Sequence, residues 1–75
     1  MELKKFVGLF AEQFEETDIA LFTKSTIFKD LDEWDSLSAL SVMAMVDEEM
    51  EKRITGADLL SCNTIEELFN LAQSK

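Results

Sequence analysis

Apolar residues return at steps of three and four in three separate segments of this chain, and that spacing predicts α-helices. The segments cover about residues 2–16, about residues 36–52 and about residues 65–73. Residues 54–60 have room for only a turn or two of helix. No segment shows the alternation of a β-strand, and the chain contains no proline. The expected fold is therefore all-α, a four-helix bundle of three main helices and one short one.

The two longest helical segments separate an apolar side from a solvent side. The apolar positions of the first helix are Leu3, Phe6, Val7, Phe10 and Phe14. Those of the second helix are Ala39, Val42, Met43, Val46 and Met50. The other side of the second helix carries Leu37, Leu40, Ser41, Ala44, Asp47 and Glu48. We expect the apolar positions to form the core and the second set to face solvent.

Two segments have the chemistry of helix N-termini. Asp35 precedes the second helix, where its carboxylate can accept hydrogen bonds from the first-turn amides. Thr64 and Glu67 have the spacing of a capping box before the last helix. These caps predict that the two helices begin directly after Asp35 and Thr64.

A long first loop, residues 17–34, separates the first two predicted helices. The helical spacing fails there, and Thr23, Ser25 and Thr26 favour turns. A connection of this length without regular structure is unusual in a compact domain. We therefore expect its apolar side chains to hold it against the helices, with Trp34 as an anchor. These apolar residues are Ile19, Leu21, Phe22, Ile27, Phe28, Leu31 and Trp34.

The length and composition of the chain argue against an enzyme. A chain of 75 residues indicates one domain, residues 1–75, with one core and little material for a catalytic cleft. There is no His and a single Cys, Cys62, which excludes Ser–His and Cys–His pairs and the usual zinc sites. A lone Cys cannot form an internal disulfide, so we expect Cys62 to be a small buried hydrophobe in a reducing, cytoplasmic setting.

A calcium loop is also a poor match. Asp30 and Asp32 have the opening spacing of an EF-hand loop. Position six would then be Asp35 rather than Gly, and position twelve would be Ser41 rather than Glu. We expect no catalytic residues and no metal site in this chain.

The acidic residues are concentrated in one stretch. The formal net charge is −9, and half of the 16 acids fall between residues 30 and 51 with no Lys or Arg among them. They are Asp30, Asp32, Glu33, Asp35, Asp47, Glu48, Glu49 and Glu51. Such a surface disfavours nucleic acid and anionic membranes as partners and favours basic protein surfaces.

Ser36 is the residue with the most distinctive position. It follows the predicted cap, Asp35, and so occupies the first position of an acidic helix near the middle of the chain. Free amides and the helix dipole favour a negatively charged group there. The carboxylate of Asp35 opposes such a group by repulsion, so electrostatics makes a phosphate at Ser36 possible without requiring it.

In this context the triplet Asp35-Ser36-Leu37 resembles the modification motif of the acyl carrier protein family. The resemblance extends over essentially the whole chain, including Phe28 in the loop, residues 45–50 at the end of the second helix and the capped last helix. It implies an acyl-carrier-like four-helix fold. It also implies that Ser36 receives 4′-phosphopantetheine from coenzyme A through a phosphopantetheinyl transferase. The thiol of that arm would hold an acyl group as a thioester.

The resemblance further implies a docking face on the second helix, with a small apolar patch flanked by carboxylates. Its residues would be Leu40, Ser41, Ala44, Asp47 and Glu48. The partners would be the transferase and the enzymes that load or receive the cargo, all with basic docking surfaces. We expect the carrier to be a monomer that performs no reaction itself.

Two departures leave the cargo open. Glu33-Trp34 stands where fatty-acid carriers usually have a Gly shortly before the Asp, and Ser41 replaces a frequent acid. The segment Trp34-Asp35-Ser36-Leu37 is similar to carriers of specialised pathways and also to aminoacyl and peptidyl carriers. An acyl carrier, an aminoacyl or peptidyl carrier and an unmodified acidic interaction module therefore remain as alternatives.

Overall fold

Four α-helices form the fold of the computed structural model, which describes residues 1–75. They are α1 (Leu3–Ala11), α2 (Ser36–Met50), α3 (Gly56–Ser61) and α4 (Ile65–Gln73). The chain has no β-strand, although Ile27 and Thr64 form one isolated antiparallel bridge. The prediction of an all-α fold with three main helices and one short helix is confirmed.

Helix α1 ends at Ala11, so the prediction that it extends to about residue 16 was wrong. Beyond Ala11 the backbone forms a tighter turn. The N–H of Gln13 donates to the carbonyl of Phe10, and the N–H of Phe14 donates to the carbonyl of Ala11, at 3.1 and 3.0 Å. These bonds span three residues rather than four, as in a 3₁₀ turn. The turn keeps Phe14 on the buried side. Apolar spacing therefore predicted the burial of Phe14 correctly but not its backbone hydrogen bonding.

Helix α2 ends at Met50, slightly before the predicted limit near residue 52. Glu51 caps it in the left-handed conformation, with φ of 54°, and its N–H donates to the carbonyl of Asp47. A residue in that conformation terminates a helix. Val42 and Val46 are fully buried as predicted, and Met45, which lies outside the predicted stripe, is buried as well.

The predicted N-caps are confirmed. Asp35 caps α2, and Thr64 and Glu67 form a capping box at α4. A further capping box at α3, built by Thr55 and Asp58, was not predicted. The three capped starts fix where the helices begin, because each cap satisfies amides that have no partner inside the helix.

The first loop contains two 3₁₀ turns, Ile19–Leu21 and Phe28–Asp30. Phe22 and Phe28 are buried as expected, but Ile19, Leu21 and Ile27 are exposed, contrary to the prediction. The loop backbone is also tied to the start of α4: amides of that helix donate to the carbonyls at positions 24 and 26, at 3.0 and 3.2 Å. Hydrogen bonds as well as side chains therefore hold the loop in place.

Phe10 lies at the centre of an aromatic core. Its ring centroid is within 6.5 Å of five others, those of Phe6, Phe14, Phe22, Phe28 and Trp34. Offset and tilted pairs of this kind stabilise a core beyond the burial of their area. Cys62 is buried in the same hydrophobic core, as expected for a small hydrophobe. This core fixes α1, the loop and the start of α2 relative to one another.

Candidate functional site at the start of α2

Ser36 is the first residue of α2 and is exposed. Its hydroxyl makes no hydrogen bond with the rest of the chain, whereas the neighbouring Ser38 uses both its amide and its hydroxyl. Asp35 completes the helix start, since its carbonyl accepts from the N–H of Ala39 at 3.0 Å. The Ser36 oxygen is therefore free to take a covalently attached group.

Ser38 ties the helix start to the loop. Its backbone N–H donates to Asp35 Oδ1 at 2.8 Å, and its Oγ donates to the carbonyl of Glu33 at 2.7 Å. The carboxylate of Glu33 in turn accepts from the N–H of Glu16 at 3.0 Å and from the hydroxyl of Thr17. These bonds join Glu16 and Thr17, in the connection that follows α1, to Glu33 and the start of α2, and so hold Ser36 in position. Sequence reasoning missed Ser38 and Glu33, although the spacing from Asp35 to Ser38 is that of a cap and its N3 residue.

Asp35 supplies a fixed negative charge beside Ser36. The pKa of its carboxyl lies below the usual value, chiefly because the backbone N–H of Ser38 donates to the ionised form. Asp35 is therefore ionised at neutral pH. It repels a phosphate at Ser36, while the first-turn amides and the helix dipole attract one.

An apolar groove of about 470 Å³ runs from Ser36 between α2 and α3. Its lining residues are Lys29, Trp34, Ser36, Ala39, Leu40, Met43, Gly56, Leu59 and Leu60. Lys29 is the only charged residue among them. Sequence reasoning did not predict the contributions of Lys29, Leu59 and Leu60, because the short α3 and the loop carry no periodic signal that places them next to Ser36.

The other side of the helix start faces a second, acidic depression. Asp35, Leu37 and Ser41 border it from α2, together with Glu15, Glu16 and Glu33. The N-terminus of α2 thus separates two surfaces of different chemistry. Ser36 lies on the apolar groove, whereas Asp35 and Leu37 lie on the acidic side.

The residues predicted to form the docking face lie on the outer side of α2, but they border different depressions. Leu40 lies on the apolar groove and Ser41 on the acidic depression. Ala44 and Asp47 border a third depression together with Arg53, which brings a cation next to the end of the acidic stretch. Glu48 is exposed. A docking role for these residues stays a prediction.

These features suit a phosphopantetheine group on Ser36. An exposed, unbonded hydroxyl lies at a helix start where amides favour a phosphate, and an apolar groove begins at the same residue. The carboxylates and the single Cys form no cluster suited to a metal ion. None of the helices is long and apolar enough to cross a membrane.

Comparison with known proteins agrees with the interpretation of this site as one for phosphopantetheine. The model of one protein family, described as the phosphopantetheine attachment site, matches residues 4–71. No significant match was found among curated proteins or among solved structures. Because the family model spans nearly the whole chain, the protein belongs to the phosphopantetheine attachment site family, whose members are carriers rather than enzymes and hold a covalent 4′-phosphopantetheine group.

Proposed function

We propose that this protein is an acyl carrier protein that bears its phosphopantetheine arm on Ser36 and presents acyl groups to partner enzymes. Residues 1–75 would act as one carrier domain. The observation that carries the proposal is the position of Ser36, which is both the first residue of α2 and part of the wall of the apolar groove. An arm attached there begins at the mouth of a space suited to a small aliphatic group.

The attached group supplies a terminal thiol that holds the acyl cargo as a thioester. The protein itself positions the attachment point and provides the groove. Asp35 and Ser38 hold the helix start that carries Ser36, and Trp34, Leu40 and Met43 line the groove with apolar surface. Tethering keeps the cargo at high effective concentration for any enzyme that docks on the domain.

The charge of the groove favours acyl over aminoacyl cargo. Lys29 is its only charged residue, and an aminoacyl group would bring an α-ammonium of the same sign into the space. Bringing two like charges close together is unfavourable. An aliphatic acyl group carries no such charge, so it suits this groove better.

Docking is proposed to involve the outer side of α2. Leu40 is 61% exposed, and Asp47 and Glu48 on the same side of α2 are exposed as well. The proposed contact residues are Leu40, Ser41, Ala44, Asp47 and Glu48. A phosphopantetheinyl transferase or an acyl-transfer enzyme with a basic surface around an apolar recess would be complementary to them.

The first test is the intact mass of the protein before and after incubation with coenzyme A and a broad-specificity phosphopantetheinyl transferase. We expect a gain of one phosphopantetheine in the wild type and in Ser25→Ala, and no gain in Ser36→Ala. Ser25 is a matched control because it is an exposed serine outside the proposed docking side and its hydroxyl makes no hydrogen bond. Absence of the gain in folded wild type, with another carrier modified in parallel, would favour the unmodified interaction module.

A second test separates acyl from aminoacyl cargo. The arm is loaded with hydrolysis-stable butanoyl or 2-aminobutanoyl groups, and the melting temperature of each form is compared with that of the unloaded arm. We expect the butanoyl group to raise the melting temperature more than its amino derivative. The reverse order would favour an aminoacyl carrier.

A further inference from the structure

Lys29 is an isolated cation in an apolar setting. It is half-buried and is the only charged residue that lines the groove beside Ser36. Its Nζ atom donates to the carbonyl of Leu60 at 2.7 Å. Because Leu60 lines the same groove, this bond holds the ammonium group at the groove edge.

No carboxylate pairs with this ammonium group. The only ion pair in the chain joins Lys75 to Asp58, at 2.9 Å. The nearby Glu67 is engaged elsewhere, since its carboxylate accepts from the backbone N–H groups of Asn63 and Thr64, at 2.7 and 3.2 Å. Those two bonds are the main reasons why the pKa of Glu67 is lowered, and the charge of Lys29 adds to them from a distance.

An ammonium group has three N–H donors, and the protein satisfies one of them here. Lys29 is partly buried as a residue, but its ammonium group lies at the exposed edge of the groove, where an anionic partner would add a charge-assisted hydrogen bond. The protein places no such partner at Lys29. An arm that begins at Ser36 and enters the groove would bring anionic oxygens into this space, either from its phosphodiester or from a carboxylate on the cargo.

We propose that Lys29 is a positioning and specificity residue, which binds an anionic oxygen of the attached arm or of its cargo from its place on the wall of the Ser36 groove. This inference rests on the proposed attachment at Ser36. With a cargo carboxylate as the partner, the carrier would prefer dicarboxylic acyl groups to neutral ones of equal length. With the phosphodiester as the partner, Lys29 would orient the arm whatever its cargo.

The test uses nuclear magnetic resonance on the full chain after loading has been verified by intact mass. Three forms are prepared: the unloaded arm, the arm with a butanoyl group and the arm with a ¹³C-carboxyl succinyl group, both in hydrolysis-stable linkage. Each form is made in the wild type, in Lys29→Met, in Lys29→Arg and in Lys24→Met. Lys24 is the matched control, because it is an exposed lysine of the same loop that does not line the groove.

We expect Lys29→Met to shift the ³¹P resonance of the arm or the ¹³C resonance of the succinyl carboxylate, with Lys24→Met shifting neither and Lys29→Arg retaining the wild-type position. A ³¹P shift in the unloaded arm identifies the phosphodiester as the partner. A shift confined to the succinyl carboxylate identifies the cargo. If neither resonance moves, the inference is overturned and Lys29 serves only to hold the Leu60 carbonyl.

Two further observations keep the test decisive. Should Lys29→Met fail to fold, the Lys29 Nζ resonance of the wild type is followed between the unmodified and loaded forms, and an unchanged signal overturns the inference. Failure of the wild type to gain mass overturns the proposed function itself. Successful loading with unchanged resonances overturns only the role of Lys29.

Discussion

The ring of Trp34 lies 4.9 Å from the ring of Phe28, centroid to centroid, at an angle of 60°. The indole also stacks on Phe10, with 6.4 Å between centroids and 5° between planes. At the same time Trp34 lines the groove that begins at Ser36. Sequence reasoning predicted its role as a loop anchor. The structure shows that the same side chain also forms part of the site, so the aromatic core directly supports one wall of the groove.

Trp34 should therefore report on the cargo. It is the only Trp in the chain, so its fluorescence is an unmixed signal. Loading acyl groups of increasing length should shift its emission progressively to the blue, because an aliphatic chain in the groove replaces water near the indole. Leu60→Glu, a change at a residue that is 77% exposed, should reduce the shift by placing a charge at the groove edge. If the Trp34 emission maximum does not change with the length of the acyl chain, although loading is verified by mass, the cargo lies outside the groove.

Phe10→Ala should remove much of the stability of the domain. Phe10 is fully buried and contacts five other aromatic rings, and truncation of such a residue costs about 3–5 kcal/mol. The free energy of unfolding of a small domain is about 5–15 kcal/mol, so this loss would be a large part of it. Urea unfolding followed by far-UV circular dichroism measures the change. Ile19→Ala, at an exposed apolar residue, should change the free energy of unfolding by less than about 0.5 kcal/mol. Equal losses in both variants would contradict the proposed core.

Reversal of charge on α2 should slow modification by the transferase. Asp47→Lys and Glu48→Lys each replace an exposed carboxylate on the proposed docking side. We expect kcat/KM to fall several-fold at low salt, mainly through slower encounter, with a smaller difference at high salt because ions screen exposed charges. Glu12→Lys alters the net charge equally, on an exposed residue just beyond α1. If that variant slows the reaction as much, total charge rather than the α2 surface determines docking.

Glu67 should contribute to the loss of stability in acid. Its pKa is lowered in the folded protein, chiefly by the N–H of Asn63, so the folded state binds fewer protons than the unfolded chain near that pKa. The stabilisation is complete above the unfolded pKa of about 4.3 and is lost as the pH falls through the lowered folded value. Glu67→Gln keeps a hydrogen-bond acceptor but does not titrate.

The melting temperature of the wild type should therefore fall more steeply than that of Glu67→Gln between about pH 7 and about pH 3. The variant should be the less stable of the two at neutral pH, and the two curves should converge in acid. Glu12→Gln, an exposed residue whose side chain makes no hydrogen bond, is the control. Parallel curves for wild type and Glu67→Gln would show that the capping box does not carry this pH dependence.

Helices α2 and α4 and their N-terminal caps were predictable from local patterns. The helix starts after Asp35 and Thr64 depend on side chains that accept hydrogen bonds from amides within the next turn. Because these contacts involve residues only three positions apart, the local sequence is enough to predict them. The spacing of Phe6, Phe10 and Phe14 predicted their burial for the same reason. The position of Ser36 at a helix start follows directly from the cap.

The end of α1 and the burial or exposure of each loop residue could not be predicted in this way. Ile19 and Phe28 have comparable hydrophobicity, yet one is exposed and the other fully buried. The difference depends on which residue meets the rings of α1, and that is a contact between distant parts of the chain. Apolar spacing likewise cannot separate the last turn of an α-helix from a tighter turn that keeps Phe14 on the same side.

The sequence by itself determined the helical class, the caps of α2 and α4 and the exposed serine at the start of an acidic helix, because each depends on residues a few positions apart. Only the tertiary structure decided what surrounds that serine. It placed Lys29 from the loop and Leu60 from α3 on one groove with Ser36, and it turned Asp35 toward a separate acidic depression. The physical reason is that a groove is formed by surfaces of different elements, and their juxtaposition is set by packing of the whole core rather than by any local pattern.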